Sequence, residues 1–180
     1  MGLDMYLYVK QDKTATLDEA VAKDRLWWEG AELNGETHRF ENDVMEPGLI
    51  GVAYWRKANA IHGWFDEKVG GIEDCEYYEI SQEDLADLLD TCHQVRESIE
   101  LIEGEIVNGY DGHGNPIIEQ GTYIKDTSVC IDLLPVTQGF FFGSYEYDQW
   151  YAQDIDDSIM QLTKALEEHT DPTFIYYASW

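Results

Sequence analysis

A segment in the first third of the chain, residues 53–65, constrains the fold more than any other. Apolar side chains recur there at intervals of three and four residues, at Tyr54, Ala58, Ile61 and Phe65. This spacing puts them on one face of an α-helix, and the face is wide enough that a core must cover it. The sequence therefore predicts a central helix over residues 53–65, with the rest of the chain packed around it.

The predicted central helix also carries a mixed polar and aromatic line. Trp55, Asn59 and His62 repeat the helical spacing. Beside them, Arg56 and Lys57 form the only adjacent pair of basic residues in the chain. A charge inside a fold needs a partner, because it loses its hydration there. The two cations are therefore either a ligand site or structural counter-ions to buried carboxylates.

The charge of the chain limits its partners. Its 180 residues are 44% hydrophobic, so we expect a single compact domain over residues 1–180. Acidic residues outnumber basic ones by 37 to 11, which gives a net charge of −26. No basic run is present, so direct binding to DNA, RNA or an anionic membrane is not expected. The charge favours cationic partners, including nucleic-acid-binding surfaces of other proteins, although a salt-rich setting or simple solubility would also explain it.

Cysteine usage and hydropathy indicate a cytoplasmic protein. Cys75, Cys92 and Cys130 include no Cys-x-x-Cys pair, so we expect neither a disulfide framework nor a zinc site. No metal site and no cofactor are predicted. We expect no secretory leader, because residues 1–6 show neither a charged stretch nor a cleavable apolar run. No stretch approaches the roughly 18 apolar residues of a membrane span.

The remaining part of the first half predicts a strand and a short helix. Residues 3–10 alternate apolar residues with polar or aromatic ones, which is typical of a strand. Residues 16–28 predict a helix capped by Thr16, with Glu19 three residues later completing a capping box. Residues 30–47 are weakly patterned, and we expect a loop or hairpin there.

Gly70 and Gly71 are the predicted end of the central helix, and residues 75–80 predict a short strand. Ser81 then begins the clearest helix in the sequence. The apolar stripe of this helix is Leu85, Leu88, Leu89, Cys92, Val95, Ile99 and Ile102. The opposite face carries a row of carboxylates, here called the acidic row, at Glu83, Asp87, Asp90 and Glu97. Residues three or four apart on a helix lie about 5–6 Å from one another, so the row is nearly continuous.

The second half predicts a hairpin, strands and a last helix. Turn residues at 108–116 lie within a hairpin or loop insertion at residues 105–123. Strands are predicted at residues 127–133, 139–143 and 173–180. Ser144 is the predicted cap of the last helix, which carries a second acidic patch at Asp154, Asp156 and Asp157. The predicted fold is α+β, with about three helices packed on a mostly antiparallel sheet.

Four short segments of the sequence resemble segments of other proteins. They are MGLDMYL at residues 1–7, YWRKANAIHGWF at 54–65, GFFFGS with a following Tyr-Asp pair within 139–148, and the closing ASW. Together they resemble small uncharacterised proteins encoded by bacteriophages and prophages. The resemblance implies a phage setting in the cytoplasm of a host cell, but no mechanism. Relative to that pattern, residues 105–123 look like an insertion.

The first functional hypothesis is an inhibitor that acts by binding. In physical type, an acidic phage-type protein resembles the anti-restriction and anti-CRISPR proteins that occupy nucleic-acid grooves on nucleases. Duplex DNA presents charges about every 3.4 Å along each strand, and a helical carboxylate row can meet some of the basic residues that normally hold phosphates. The acidic row and the acidic patch would then bind a host defence nuclease, or another host nucleic-acid-binding protein, as a DNA mimic. The alternative is an ordinary solvated helix face.

The second hypothesis is a protein or enzyme that binds a small anionic ligand. Its candidate pocket consists of Arg56, Lys57, Asn59, His62, Tyr147 and Asp148. Arg56 and Lys57 would hold a phosphate or carboxylate, and His62 would act as acid or base near neutral pH. With Arg56 and His62 as catalytic residues, the same site would hydrolyse a nucleotide or RNA, although the net charge repels such a substrate. Structural roles, as a core histidine and a counter-ion, are the alternative for these two residues.

Overall fold

The computed structural model describes residues 2–34, 48–139, 141–169 and 172–180. In that part of the chain it shows the predicted α+β fold, with six strands and five helices. The strands are β1 Asp4–Lys10, β2 Leu49–Arg56, β3 Tyr77–Ile80, β4 Leu101–Tyr110, β5 Pro116–Ile124 and β6 Phe174–Ser179. The helices are α1 Leu17–Asn34, α2 Asn59–Val69, α3 Gln82–Ser98, α4 Ser128–Leu133 and α5 Gln149–Glu168. None of these helices is long and apolar enough to cross a membrane.

Four antiparallel strands form the main sheet, in the order β2-β1-β6-β3. Burial alternates along β1, so Met5, Leu7 and Val9 are buried on one face while the tyrosines between them lie on the other. Helices α2, α3 and α5 cover the buried face and share its core. Helix α1 packs on the opposite face, where Ala20 meets Leu49 of β2 and an isoleucine of β6. The two sides of the sheet therefore have separate apolar clusters.

Two aromatic rings lie at the centre of the main core. Phe65 of α2 and Tyr176 of β6 are fully buried and stack with ring centroids 4.0 Å apart. Trp55 of β2 packs beside Phe65 at 6.2 Å and donates its indole N–H to Ser158 Oγ of α5 at 2.9 Å. A buried indole N–H needs an acceptor, and this bond supplies it. The contacts join four elements at one point.

The predicted central helix is wrong for the first residues of the segment. Ala53 and Trp55 are buried while Tyr54 and Arg56 are exposed, which is the two-residue period of a strand. These residues belong to β2, which pairs with β1 along its length. Tertiary pairing with the central strand therefore overrides the helical spacing that the sequence shows.

The second part of the same segment is helical, as predicted. Helix α2 begins at Asn59, and the stripe residues Ala58, Ile61 and Phe65 are buried. Gly70 ends the helix in a left-handed conformation with φ of 80°. The helix thus begins five residues after Tyr54, the first residue of the apolar stripe.

Two further predicted strands are also wrong. In the first of them, Ser128–Leu133 forms α4, and the carboxylate of Asp126 accepts the N–H of Ser128 at 3.0 Å where that helix begins. The segment 139–143 is an irregular loop rather than a buried strand, and its Phe140 lies outside the described residues. Positive φ values of 72° at Phe141 and 98° at Gly143 are incompatible with a strand.

The cap of the last helix lies four residues later than predicted. Ser144 does not cap a helix, and its Oγ accepts the N–H of Glu146 at 3.1 Å in the preceding loop. Asp148 is the cap of α5, since its Oδ1 accepts the N–H groups of Trp150 and Tyr151. Aspartate and serine are both good caps, so residue type alone did not separate them.

Other local predictions are confirmed. Thr16 and Glu19 form a reciprocal capping box, with N–H to side-chain oxygen distances of 2.8 and 3.3 Å. Ser81 caps α3, and residues 3–10 and 173–180 contain β1 and β6. The predicted loop or hairpin at residues 30–47 begins inside α1, and its residues 35–47 lie outside the described part of the chain.

The predicted hairpin at residues 105–123 is confirmed and is longer than expected. Strands β4 and β5 pair from Leu101 to Ile124 and form a separate two-stranded sheet. Helix α5 supports this hairpin, because Gln149 Oε1 accepts the N–H of Thr122 at 3.1 Å. The hairpin is therefore attached to the domain beside the start of α5.

We expect Phe65→Ala to lower the free energy of unfolding by about 3–5 kcal/mol, because it removes a fully buried ring and leaves a cavity against Tyr176. Urea denaturation followed by circular dichroism measures the change. Met160→Ala on α5 is the control, since Met160 is 64% exposed and its loss should cost less than about 0.5 kcal/mol. Equal effects of the two substitutions would contradict this account of the core.

Candidate functional site

A cavity of about 730 Å³ opens beside the main core. It lies between the β2–α2 junction, the β4–β5 hairpin at residues 107–109, the loop at residues 143–146 and the N-terminal half of α5. Its volume is within the range of roughly 300–1,000 Å³ that small-molecule sites usually have. Elements that are far apart in the sequence thus line one cavity.

Arg56 and Lys57 form what we call the cationic wall of the cavity. Both side chains are exposed, and neither makes an ion pair with a carboxylate in the described part of the chain. Cations without a partner inside a lined cavity are available to an anionic ligand. The counter-ion role considered for Arg56 thus has no matching ion pair among the described carboxylates.

The backbone of the cationic wall is held in a strained conformation. Lys57 has φ of 61°, a left-handed value that is uncommon for a residue with a side chain. Its N–H donates to the carbonyl of Leu3 at 2.8 Å, and its own carbonyl accepts the N–H of Asn59 at 2.8 Å. Gly143 packs so closely that a Cβ there would lie 3.0 Å from Lys57 Cβ. The two cations therefore project from a fixed turn.

Asn59 lines the cavity but is committed to the protein itself. Its Nδ2 donates to the carbonyls of Phe142 at 3.2 Å and Ser144 at 2.7 Å. Its Oδ1 accepts the N–H of Thr137 at 3.2 Å. This predicted pocket residue therefore holds two loop segments of the cavity in place, and its amide is not directed to a ligand.

Three aspartates form the carboxylate wall, at Asp148, Asp154 and Asp157. Asp148 is 1% exposed, and its Oδ1 caps α5 while its Oδ2 has no hydrogen-bond partner in the described part of the chain. Burial raises the pKa of Asp148, although the two capping N–H groups partly offset this. Burial, followed by the charges of Asp157 and Asp148, raises the pKa of Asp154 to about 7. Asp148 and Asp154 therefore bind protons more readily than ordinary aspartates.

Exposed aromatic rings complete the cavity. Tyr54, Tyr145 and Trp150 line it and are 44%, 42% and 47% exposed. The hydroxyl of Tyr145 donates to the carbonyl of Gly139 at 2.9 Å, which fixes the ring. Large aromatic side chains exposed around a cavity can stack on flat ligand groups.

His62 is not part of the cavity lining. It is 3% exposed, its Nδ1 lies 2.8 Å from the Tyr176 hydroxyl, and the rings of Phe142 and Trp180 pack edge-on against it. Burial lowers the pKa of His62 to about 4, so it is neutral at physiological pH. Its contacts are those of a core histidine.

Tyr147 also lies outside the cavity lining. Its hydroxyl accepts the N–H of Val136 at 3.1 Å, and its ring packs against Tyr151. Of the six residues predicted for an anionic-ligand pocket, the cavity brings together Arg56, Lys57, Asn59 and Asp148.

The acidic row lies on the outer face of α3, away from the cavity lining. All four of its side chains are exposed, opposite the buried stripe of the helix. Two of them have neighbours, because Lys68 lies 3.4 Å from Asp87 and Gln94 donates to Asp90 at 2.8 Å. The row is thus a solvent-facing surface that is partly neutralised at one end.

The predicted acidic patch is split by the structure. Asp154 and Asp157 line the cavity, whereas Asp156 points to α3 and accepts a hydrogen bond from Arg96 at 2.6 Å. Asp154 and Asp157 are three residues apart and share a helix face, whereas Asp156 is two residues from one and one residue from the other and points elsewhere. The three aspartates therefore do not form one surface.

Sequence reasoning missed the aromatic and hairpin residues of the cavity. Trp150 and Tyr145 are close to Asp148 in the sequence. Because the sequence predicts Ser144 and not Asp148 as the cap of α5, it does not indicate that these two aromatic residues lie at the start of that helix. The sequence assigns residues 107–109 only to a hairpin and its turn, although they line the cavity. The sequence signal for the carboxylate wall is the pair Asp154 and Asp157, three residues apart on the helix that also carries Trp150.

Among the described residues, no three metal-ligating side chains lie close enough together to hold a metal ion.

No protein-family model, no curated protein and no solved structure matches the chain. The contacts, burial and charge of its own residues define the chemistry of the cavity. Those residues form a cationic wall, a carboxylate wall and a set of exposed aromatic rings.

Asp154 should make stability depend on pH. Because its pKa in the folded state is raised to about 7, folding takes up a proton between the ordinary aspartate pKa and that value. The contribution of Asp154 to stability is therefore present at low pH and is lost as the pH rises from about 4 to about 7. We expect Asp154→Asn to gain stability relative to the unmodified protein over this window, measured by urea unfolding at several pH values.

Glu167→Gln is the matched control for this test. Glu167 is exposed on the same helix, and its substitution removes the same charge. If both variants shift in parallel across the pH range, Asp154 does not carry the raised pKa.

Proposed function

We propose that this protein binds a small anionic ligand in the cavity, with Arg56 and Lys57 holding the anionic group. The single observation that carries the proposal is the cationic wall: two exposed cations on a locked turn, without an ion-pair partner in the described part of the chain. The resemblance to phage and prophage proteins supplies the setting for such a function, in the cytoplasm of a host cell.

The locked turn favours binding because it lowers the cost of ordering the site. A ligand that must fix a mobile loop loses affinity to that ordering, whereas a preformed turn has already been ordered by folding. Strain of the kind seen at Lys57 persists only where surrounding contacts maintain it, and it is concentrated at functional sites. The guanidinium of Arg56 can in addition donate two parallel N–H hydrogen bonds to a phosphate or carboxylate.

The proposal is one of binding rather than catalysis. Of the residues considered for acid or base catalysis, His62 is buried and hydrogen-bonded in the core and does not reach the cavity. Asn59 is engaged with three backbone groups, so its amide positions the cavity walls. The residues that remain to contact a ligand are the two cations, the carboxylate wall and the aromatic rings.

The test is calorimetric titration of the protein with small phosphorylated and carboxylated compounds, guided by a thermal-shift screen. We expect the variant Arg56→Ala/Lys57→Ala to bind at least about tenfold more weakly, because hydrogen bonds to charged groups contribute about 1.5–3 kcal/mol. Lys164→Ala is the control, since Lys164 is exposed on α5 outside the cavity lining. Absence of binding by every compound, or equal binding by both variants, would refute the proposal.

A second candidate function is inhibition of a host nucleic-acid-binding protein, such as a defence nuclease, by mimicry of nucleic-acid charge. It is favoured by the acidic row, whose four carboxylates are all exposed along one helix of a chain with net charge −26. Surfaces of this charge attract basic grooves over a distance, and the attraction weakens as salt rises. Under this proposal the protein is similar in its acidic charge to anti-restriction and anti-CRISPR inhibitors.

A pull-down from nuclease-treated host lysate, at low and at raised salt, tests this second candidate. We expect a salt-sensitive nucleic-acid-binding partner that is lost when all four carboxylates of the acidic row are changed to amides. The control removes four exposed carboxylates elsewhere, at Glu73, Glu76, Glu103 and Glu167. If both fourfold variants lose the partner alike, total charge rather than the acidic row is responsible, and the specific interface is excluded.

A further inference from the structure

We infer that the outer face of the main sheet docks an arginine-containing basic segment of a partner protein. The contact surface is a row of four tyrosines, here called the tyrosine row, at Tyr54, Tyr6, Tyr177 and Tyr77. The row lies on the face of the sheet opposite the core that α2, α3 and α5 cover. The inference therefore goes beyond the proposed function and requires no ligand in the cavity, although Tyr54 is also part of the cavity lining.

Strand pairing places the four tyrosines side by side. Tyr6 of β1 lies directly opposite Tyr54 of β2 and Tyr177 of β6, and Tyr177 lies opposite Tyr77 of β3. Directly opposed residues in antiparallel strands project from the same face of the sheet. The ring centroids of successive pairs are 5.0, 6.0 and 4.6 Å apart. Because neighbouring strands lie about 4.8 Å apart, the row extends about 14 Å across the whole sheet.

The tyrosine row is only partly covered by the rest of the described chain. Tyr77 packs against the apolar cluster that includes Ala20 of α1. Tyr6 and Tyr177 lie outside that cluster and are partly exposed, and Tyr54 is 44% exposed. Tyrosine is enriched at protein interfaces, because its ring offers apolar area while its hydroxyl stays in contact with water. Three neighbouring rings of the row are thus accessible to a partner.

Negative charge surrounds the tyrosine row. In the described part of the chain, more carboxylates than cations act on its rings: Asp4, Asp24, Asp74 and Glu76, against Arg25 and Arg56. Asp4 accepts a hydrogen bond from the Tyr54 hydroxyl, which fixes a carboxylate at one end of the row. The face of a tyrosine ring itself attracts a cation through its π electrons. The row and its surroundings therefore favour contact with positively charged side chains.

The charge of the chain distinguishes between three candidate occupants. Aromatic side chains on a sheet can stack the bases of single-stranded nucleic acid, but a net charge of −26 repels the phosphate backbone. A second copy of the chain would bring the same negative charge to the contact. A basic segment is attracted, and arginine is the cation that most often stacks on aromatic rings. Alternate side chains of an extended segment lie about 6.6 Å apart, so about two or three arginines fit along the row.

The probe is a short peptide with blocked ends in which three arginines alternate with glycine, titrated by calorimetry at physiological ionic strength. The same peptide with lysine in place of arginine carries an equal charge. We expect the arginine peptide to bind at least about fivefold more tightly, because the guanidinium group stacks on the rings. Tyr6→Ile/Tyr177→Ile should weaken binding of the arginine peptide at least about fivefold and remove its preference over lysine. Isoleucine suits a strand, so this variant should fold.

Two control variants keep the net charge and so hold the general attraction constant. Tyr6→Phe/Tyr177→Phe retains both rings and should bind the arginine peptide within about twofold of the unmodified protein. Tyr123→Ile removes a tyrosine that is 40% exposed on the β4–β5 hairpin, outside the row, and should change neither affinity. Urea unfolding confirms that each variant is folded.

Other outcomes overturn the inference. Equal affinity for the two peptides, or equal losses in Tyr6→Ile/Tyr177→Ile and Tyr123→Ile, would show only a general attraction to an acidic protein. Binding of a thymidine oligonucleotide that is lost in Tyr6→Ile/Tyr177→Ile would assign the row to nucleic acid. A dimer in sedimentation analysis that the same variant loses would assign it to a second copy of the chain.

A direct measurement on the unmodified protein replaces the variant if Tyr6→Ile/Tyr177→Ile is unfolded. Nuclear Overhauser effects between the arginine side chains of the peptide and the ring protons of Tyr6 or Tyr177 would support the inference. Their absence in the saturated complex would overturn it.

Discussion

The side-chain amide of Asn59 is the interaction on which the cavity depends. It bonds to backbone groups of Thr137, Phe142 and Ser144, which lie in a stretch of irregular chain between α4 and α5. Such a stretch lacks the hydrogen-bond ladder of a strand, and the backbone groups left unpaired would cost about 1–3 kcal/mol each. One buried amide thus fixes the loop against the start of α2. The turn at Lys57 and the start of α5 face one another because this bond network sets their separation.

The fold class could be predicted from sequence, because the strongest signals were local. The capping box at Thr16, the cap at Ser81 and the left-handed Gly70 each depend on neighbours within a few residues. The errors arose where long-range pairing decides. Residues 53–56 have helical spacing, yet β1 draws them into the sheet, and residues 139–143 have the composition of a buried strand but the backbone of a loop. Short apolar runs of this kind do not distinguish strand from other structure.

The candidate site was accessible to sequence reasoning only in part. Arg56 and Lys57 stood out because basic residues are rare in the chain, and that signal did place two residues of the cavity. His62 stood out for its chemistry, but burial and a hydrogen bond to Tyr176 are properties of the folded state. The carboxylate wall joins residues of a predicted surface patch to Asp148, and no sequence pattern indicates which side of α5 faces a cavity. Helix orientation had to come from the structure.

The β4–β5 hairpin has a consequence for how such a protein can diversify. Within the described part of the chain it pairs with no strand of the main sheet, yet residues 107–109 of its outer part line the cavity. Its turn at residues 111–115 is exposed and closed by Asp111, which accepts hydrogen bonds from the N–H groups of His113 and Asn115. Changing the length of a loop costs little, about 0.6 kcal/mol for each doubling. Insertions and deletions in the hairpin can therefore reshape the rim for new ligands while the core of sheet and helices is inherited intact.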